Sequence, residues 1–189
     1  MYEYLKRYYP VSDKLCEALS ECCERKEFSK KELLVTADIE CNTLYLILEG
    51  FCVCYFEKEG RECVVRFCQE GDFCTPFHSF LGHKKSFLNV KAHEKTTVLC
   101  INRQSFDYLW QEFEDFAGLV YAALELRAIE YEEKDYWMRS LSPTERLRHS
   151  LDTREVQMLL KRVPQYLIAS YLQMTAEHYA KLQRLLNKG

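Results

Sequence analysis

The sequence predicts an α+β chain: an antiparallel β-roll, one long helix, and a closing pair of short helices. Three observations predict it. Between Glu32 and Ile101, short runs of β-branched and aromatic residues are punctuated by Gly50, Gly60 and Gly71, about ten residues apart. From Asp115 to Arg139, apolar residues recur every three or four positions. From Pro164 to Leu186, two apolar stripes at helical spacing flank Gln173-Met174-Thr175.

Each element has its own reason. Residues 3–25 are expected to be helical, with Ser12 as the cap ahead of Leu15, Ala18 and Leu19. The runs 44–48, 51–56, 63–67 and 97–101 read as strands. Glu59-Gly60 and Glu70-Gly71-Asp72 are turn sequences between them. Many short strands at this spacing imply an antiparallel sandwich or roll.

Along the long helix, Leu119, Ala122, Leu126, Ile129, Glu133 and Tyr136 form a stripe, and Phe116, Val120 and Ala123 flank it. About 25 residues give a rod of about 37 Å, longer than a small roll can cover. Part of the stripe is therefore expected to meet a second copy, with Leu119, Ala122, Leu126 and Ile129 as dimerisation residues. Packing wholly within one subunit is the alternative.

Ser142-Pro143-Thr144-Glu145 is a capping box with proline at the first helical position. A helical run from Arg154 to Val163 leads to the closing pair. Pro164 suits a helix start, and Leu167, Ile168, Tyr171 and Leu172 make the first stripe. Thr175 is a good cap for the second helix. Its buried stripe is expected at Tyr179, Leu182, Leu185 and Leu186, and its outer face carries Glu177, His178, Lys181 and Arg184. A polar, mostly basic outer face is what a helix-turn-helix puts into the major groove; a plain helical hairpin closing a core is the alternative. The expected domains are 1–114 (roll with N-terminal helices), 115–140 (dimerisation helix) and 141–189 (helix-turn-helix), with no β-wing after the last helix.

Composition bounds the function. With 189 residues, 48% of them hydrophobic and 29% charged, the chain fits one or two globular domains. No run is long enough for a membrane span, and the charged start does not read as a signal peptide. Ten cysteines without such a signal suggest reduced thiols in a cytoplasm. Nine basic and four acidic residues from Arg139 to Gly189 give that segment +5, and the net −3 of the chain leaves −8 for residues 1–138. A basic tail on an acidic body favours a nucleic-acid partner for the tail.

The order of roll, long helix and helix-turn-helix resembles the Crp/Fnr family of bacterial transcription regulators, named for the cyclic-AMP receptor protein. The most specific matches are Leu44-Tyr45-Leu46-Ile47-Leu48-Glu49-Gly50, Glu70-Gly71-Asp72-Phe73, and the segment from Val163 to Arg184. Arg162-Val163-Pro164-Gln165 without a wing is similar to a variant common in Bacteroidetes-type bacteria. The resemblance implies a cyclic-nucleotide-binding-domain-like jelly roll, a homodimer and a sequence-specific DNA reader.

Cyclic-nucleotide-binding members carry a Gly-Glu pair for the ribose and an Arg-Ser or Arg-Thr for the phosphate. Aligned without gaps, those positions hold Thr75, Pro76, Ser86 and Phe87. Both polar anchors are missing, and a charge-assisted phosphate contact has no neutral substitute. The pocket is therefore expected to be degenerate, with a ring where the phosphate would lie and no ordinary cyclic-AMP binding. A filled roll and a pocket for another small ligand both remain open.

Iron–sulfur members need a C-x2-C-x5-C. Cys16 and Cys22 have the second spacing, but Asp13 replaces the first cysteine, and Cys100 is one residue from the fourth ligand's place. Cys74 and His78 lie where a carbon-monoxide-sensing relative holds haem, at a different spacing. Cys52 and Cys54 share a strand face and could meet a soft metal, although free strand cysteines usually pack as small hydrophobes. No cofactor, no metal and no catalytic residue are expected; G-x-S-x-G, P-loop and H-E-x-x-H are all missing.

The expected function is a cytoplasmic, homodimeric transcription regulator, not an enzyme. Its partners are a palindromic double-stranded operator, a second copy and, as a further candidate, RNA polymerase, with no membrane. The DNA-facing residues are Thr175, Ala176, Glu177, His178, Lys181 and Arg184. The family's guanine-reading arginine positions hold Ala176 and Lys181, and its usual turn glycine is Gln173. A relic that has lost DNA binding and acts through protein contacts is the competing expectation.

Overall fold

Side-chain alternation along two paired strands organises the first half of the molecule. In the computed structural model, which describes residues 2–152 and 161–186, β3 (Thr43–Glu49) pairs antiparallel with β7 (Thr96–Asn102). Leu44 faces Ile101 and Leu46 faces Leu99, and all four pack among helical residues such as Leu15, Leu19, Phe106 and Phe116. The alternate positions Tyr45, Ile47, Val98 and Cys100 point the other way, into the interior of the roll. A period of two thus serves two cores from one sheet.

β7 is the centre of a three-stranded sheet, with β1 (Glu24–Phe28) on its other edge. A second sheet has the order β2 (Leu33–Val35), β6 (Asn89–Ala92), β4 (Cys52–Lys58), β5 (Arg61–Cys68). Glu59 and Gly60, both at positive φ, join β4 to β5 as in the primed hairpin turns. Gly50 has φ +101°, and a Cβ there would lie 2.6 Å from the Lys95 carbonyl oxygen, so the turn after β3 requires glycine.

The helices are α1 (Tyr2–Leu5), α2 (Asp13–Cys22), α3 (Phe77–Phe80), α4 (Arg103–Glu112), α5 (Glu114–Ser140), α6 (Pro143–Asp152), α7 (Gln165–Tyr171) and α8 (Ala176–Leu186). The single helix expected over 3–25 is instead two helices and the start of a strand. Pro10 has no N–H and disfavours helix at Tyr9, and Ser12 restarts the helix by accepting from the Leu15 N–H at 3.1 Å. Cys23 is extended, and Glu24-Arg25-Lys26-Glu27-Phe28 forms an edge strand with only Phe28 buried. Its charges suit an edge and hide the strand pattern. β6 and α4 also have no counterpart among the elements that the sequence pattern predicts.

The long helix has 27 residues, about 40 Å. Leu119 is 1% exposed and packs with Phe116, Val120 and Ala123 in the core of its own chain. Its assignment to the dimer stripe is corrected: it lies one turn beyond Phe116 and one before Ala123, on the face turned to the core. Ala122 is half-buried, while Leu126 and Ile129 are 45% and 47% exposed.

The chain divides into two compact units, Met1–Phe56 with Arg66–Arg127, and Glu57–Val65 with Ala128–Gly189. The tip of the β4–β5 hairpin thus groups with the C-terminal helices, and α5 begins in one unit and ends in the other. Within the second unit, Leu147, Val163, Leu167, Ile168, Ala169, Leu172, Tyr179 and Leu182 are buried. The expected helix over Arg154–Val163 lies, for residues 153–160, outside the described residues. Among the described residues, no helix is long and apolar enough to cross a membrane.

Candidate nucleic-acid interface and effector pocket

The capping box forms as expected. The Ser142 N–H donates to Glu145 Oε2 at 2.8 Å, and the Glu145 N–H donates to Ser142 Oγ at 3.4 Å. These bonds hold the exposed Glu145 carboxyl below its ordinary value of 4.5. One turn later, Arg146 Nη1 donates to the Leu172 carbonyl at 2.9 Å, satisfying an acceptor at the end of α7.

α7 ends in a Schellman turn. The Met174 N–H donates to the Ala169 carbonyl and the Gln173 N–H to the Ser170 carbonyl, both at 3.0 Å. Gln173 takes the left-handed conformation, φ +56°, at the position where glycine is usual. The turn therefore keeps its shape at a cost in local strain. Thr175 then caps α8: its Oγ1 accepts from the His178 N–H at 3.2 Å.

α8 buries Tyr179 and Leu182 and exposes Glu177, His178, Lys181 and Arg184. Thr175 and Ala176 are exposed at its start. Glu177, Lys181 and Arg184 are four and three residues apart, so they share one face. Leu185 corrects the expected buried stripe: it is exposed, because six residues beyond Tyr179 turn it about 240° around the axis.

A contact that sequence patterning missed anchors this unit. Ser170 Oγ, on α7, accepts from the Val64 N–H and donates to the Glu62 carbonyl, both at 2.9 Å. Lys134 Nζ, on α5, donates to the Val65 carbonyl at 2.7 Å and lies 3.6 Å from the centre of the Tyr171 ring. No local pattern signals such contacts, because the partners are backbone atoms far away in sequence.

In the roll, Thr75, Pro76 and Ser86 are buried. Thr75 Oγ1 accepts from the Tyr45 N–H at 2.7 Å and donates to the Thr43 carbonyl at 3.3 Å. Ser86 Oγ donates to the Leu88 carbonyl at 2.7 Å and accepts from its N–H at 3.0 Å. Each hydroxyl proton is already used within the chain. Phe87 is corrected: it is 63% exposed and stacks on His78 at 3.8 Å rather than filling the phosphate position. The Ser86 backbone is bonded to both Asp38 and Ile39, which holds Ser86 inward while the next side chain turns out. His78 accepts from the Phe87 N–H at 3.3 Å, and burial lowers its pKa. What fills the interior is sulfur: Cys41, Cys52, Cys54, Cys68, Cys74 and Cys100 pack there with Phe28, Ile47, Val90 and Val98.

Residues 25–113 match the cyclic nucleotide-binding domain family. No curated protein matches the sequence. Among solved structures, the c-di-GMP-responsive global regulator CLP of Xanthomonas campestris is 17% identical, with 94% of this chain and 92% of that one covered and a TM-score of 0.75. FixK2 of Bradyrhizobium japonicum is 17% identical over 88% and 85%, with a TM-score of 0.71. A protein of Eubacterium rectale assigned to the Crp/Fnr family of transcriptional regulators is 15% identical over 96% and 88%, also at 0.71. At such identities the likeness is one of fold. Residues 25–113 are thus similar to the cyclic nucleotide-binding domain, and the chain shares the fold of these solved structures over most of its length.

Proposed function

We propose that this chain is a homodimeric, sequence-specific DNA-binding transcription regulator of the Crp/Fnr type, working in the cytoplasm and not responsive to cyclic AMP. The observation that carries the reading is α8 itself. It is capped by Thr175, joined to α7 by a Schellman turn, and exposes Glu177, His178, Lys181 and Arg184 together. In the groove of a palindromic operator, Lys181 donates to guanine and Glu177 accepts from a cytosine amino group. Thr175, His178 and Arg184 contact phosphates, and Ala176 gives close approach to the bases. The exposed Leu126 and Ile129 join two copies, so two α8 helices address two half-sites. RNA polymerase is the partner such a dimer meets at a promoter.

The roll has lost the usual nucleotide anchors, and the protons of the two hydroxyls at those positions are committed internally. Cyclic AMP is expected to bind no tighter than about millimolar, about 4 kcal/mol; calorimetry showing micromolar affinity would overturn this part. The test of the whole reading is an electrophoretic shift with DNA from upstream of the protein's own operon at two salt concentrations. Binding that weakens steeply with salt supports it. A protein that ignores DNA even at low salt favours action through protein contacts instead.

A further inference from the structure

Sulfur is concentrated in one place. Six of the ten cysteines lie in the interior of the roll, and Cys54 Sγ lies 3.7 Å from Cys68 Sγ. The two belong to adjacent strands, β4 and β5, of one hairpin. The two are not directly opposite across the hairpin, so it is the sulfur separation itself that brings a disulfide within reach of a side-chain rotation and a small strand shift. We propose that Cys54 and Cys68 are a redox pair, oxidised by a small hydroperoxide to a reversible disulfide that reports along the hairpin to α7.

The chemistry divides the roles. Cys68 hydrogen-bonds to Cys54 and thereby favours the Cys54 thiolate, while Cys68 itself is pushed well above the ordinary thiol range by the same bond and by burial. Elsewhere burial pushes thiols up, Cys23 to about 12 and Cys100 to about 11. Cys54, favoured by that bond and 5% exposed against 0% for Cys68, is taken as the attacking sulfur. It is buried, with 5% of the residue exposed, so the proposal requires an oxidant that is small and neutral. The Cys54 thiolate attacks one peroxide oxygen; the O–O bond breaks, and the departing alkoxide takes a proton to give an alcohol, or water from hydrogen peroxide. The Cys68 sulfur then attacks the Cys54 sulfenic acid, its proton leaves with the hydroxyl as water, and the S–S bond forms. The two sulfurs together lose two electrons and the peroxide gains two. A small thiol reverses the reaction by exchange.

The hairpin gives the site a readout. The sulfurs must move from 3.7 Å to about 2.05 Å, which shifts β4 against β5. The tip of that hairpin presents the Val64 N–H and the Glu62 carbonyl to Ser170 of α7. The sulfur chemistry is independent of DNA. Its consequence for an operator rests on the function proposed above.

The test uses the full chain, reduced without air and then given equimolar hydrogen peroxide. Free thiols are alkylated after denaturation, and peptides are mapped by mass spectrometry. The expected result is loss of two of the ten thiols, a linked Cys54–Cys68 peptide lighter by about 2 Da, and full recovery with dithiothreitol. In Cys68→Ser, Cys54 should stop at the sulfenic acid and be trapped by dimedone. Faster amide hydrogen exchange at Val64 in the oxidised protein is expected. Oxidation confined to Cys16, Cys22, Cys23 or Cys63, or a Cys52–Cys74 link, would overturn the pair. A Cys54–Cys68 disulfide that leaves Val64 exchange unchanged would overturn the report to α7. Neither result depends on whether the protein binds DNA.

Discussion

Ser170 and Glu62, 108 residues apart in sequence, are joined by a hydroxyl-to-carbonyl hydrogen bond of 2.9 Å. The same oxygen accepts from the Val64 N–H. One small side chain thus ties α7 to a hairpin tip. Ser170→Ala removes both of these bonds at a half-buried site. The expected loss is about 1–2 kcal/mol, read by urea unfolding, with faster exchange at the Val64 amide. Ser170→Thr, which keeps the hydroxyl, should retain most of the stability; equal stability of all three proteins would show that the bond contributes nothing.

The left-handed turn at Gln173 is a local cost with a known remedy. Gln173→Gly relieves the Cβ clash at φ +56° and is expected to stabilise the protein by about 1 kcal/mol. If thermal unfolding shows a loss, the glutamine side chain makes a contact worth more than the strain.

On the long helix, the core residue Leu119 can be told apart from the proposed interface residues Leu126 and Ile129. Leu119→Ala removes a fully buried side chain and should cost about 2–5 kcal/mol, with oligomeric state unchanged. Changing Leu126 and Ile129 together to Glu should leave the fold intact and give a monomer by light scattering. A parent protein that is already monomeric at micromolar concentration would remove the basis for a two-fold operator.

On the proposed function, base reading and phosphate contact should be separable on α8. Lys181→Ala is expected to cost about 1–3 kcal/mol on the preferred site and to relax base choice there. Arg184→Ala should weaken all sequences alike and reduce the salt slope by about one unit for each phosphate that a subunit no longer neutralises. Equal effects of both changes on all sequences would assign Lys181 to the backbone instead.

Glu145 makes the start of α6 sensitive to acid. Its folded pKa is held below 4.5 by Ser142, so its contribution is present above that value and is lost as pH falls through the folded pKa. Parent and Glu145→Gln should therefore differ in stability at neutral pH and converge in acid. A difference that persists unchanged into acid would mean that the carboxylate charge is not what Ser142 holds.

Much of this fold was legible because it is written in local rules. Ser12, Ser142-Glu145 and Thr175 all form the caps that their residue types imply. Glu59-Gly60 turns where expected, and the apolar runs of β3, β4, β5 and β7 pair as strands. β1 was not legible because Glu24–Glu27 are all exposed on an edge, leaving no apolar alternation to read. The outward turn of Phe87 was not legible either, because a gapless alignment cannot show that Ser86 is tied to Asp38 and Ile39.

The sequence by itself determined the strands β3, β4, β5 and β7, the long helix, the caps at Ser12, Ser142 and Thr175, and that Glu177, Lys181 and Arg184 share one face of α8. Those outcomes follow from periodicity and from side chains bonding to their own backbone within a turn. Only the tertiary structure decided that Leu119 belongs to the chain's own core, that Ser170 holds Glu62 and Val64, and that Cys54 meets Cys68. Each of these depends on which face of an element meets which neighbour, and that is settled by packing between residues far apart in the chain.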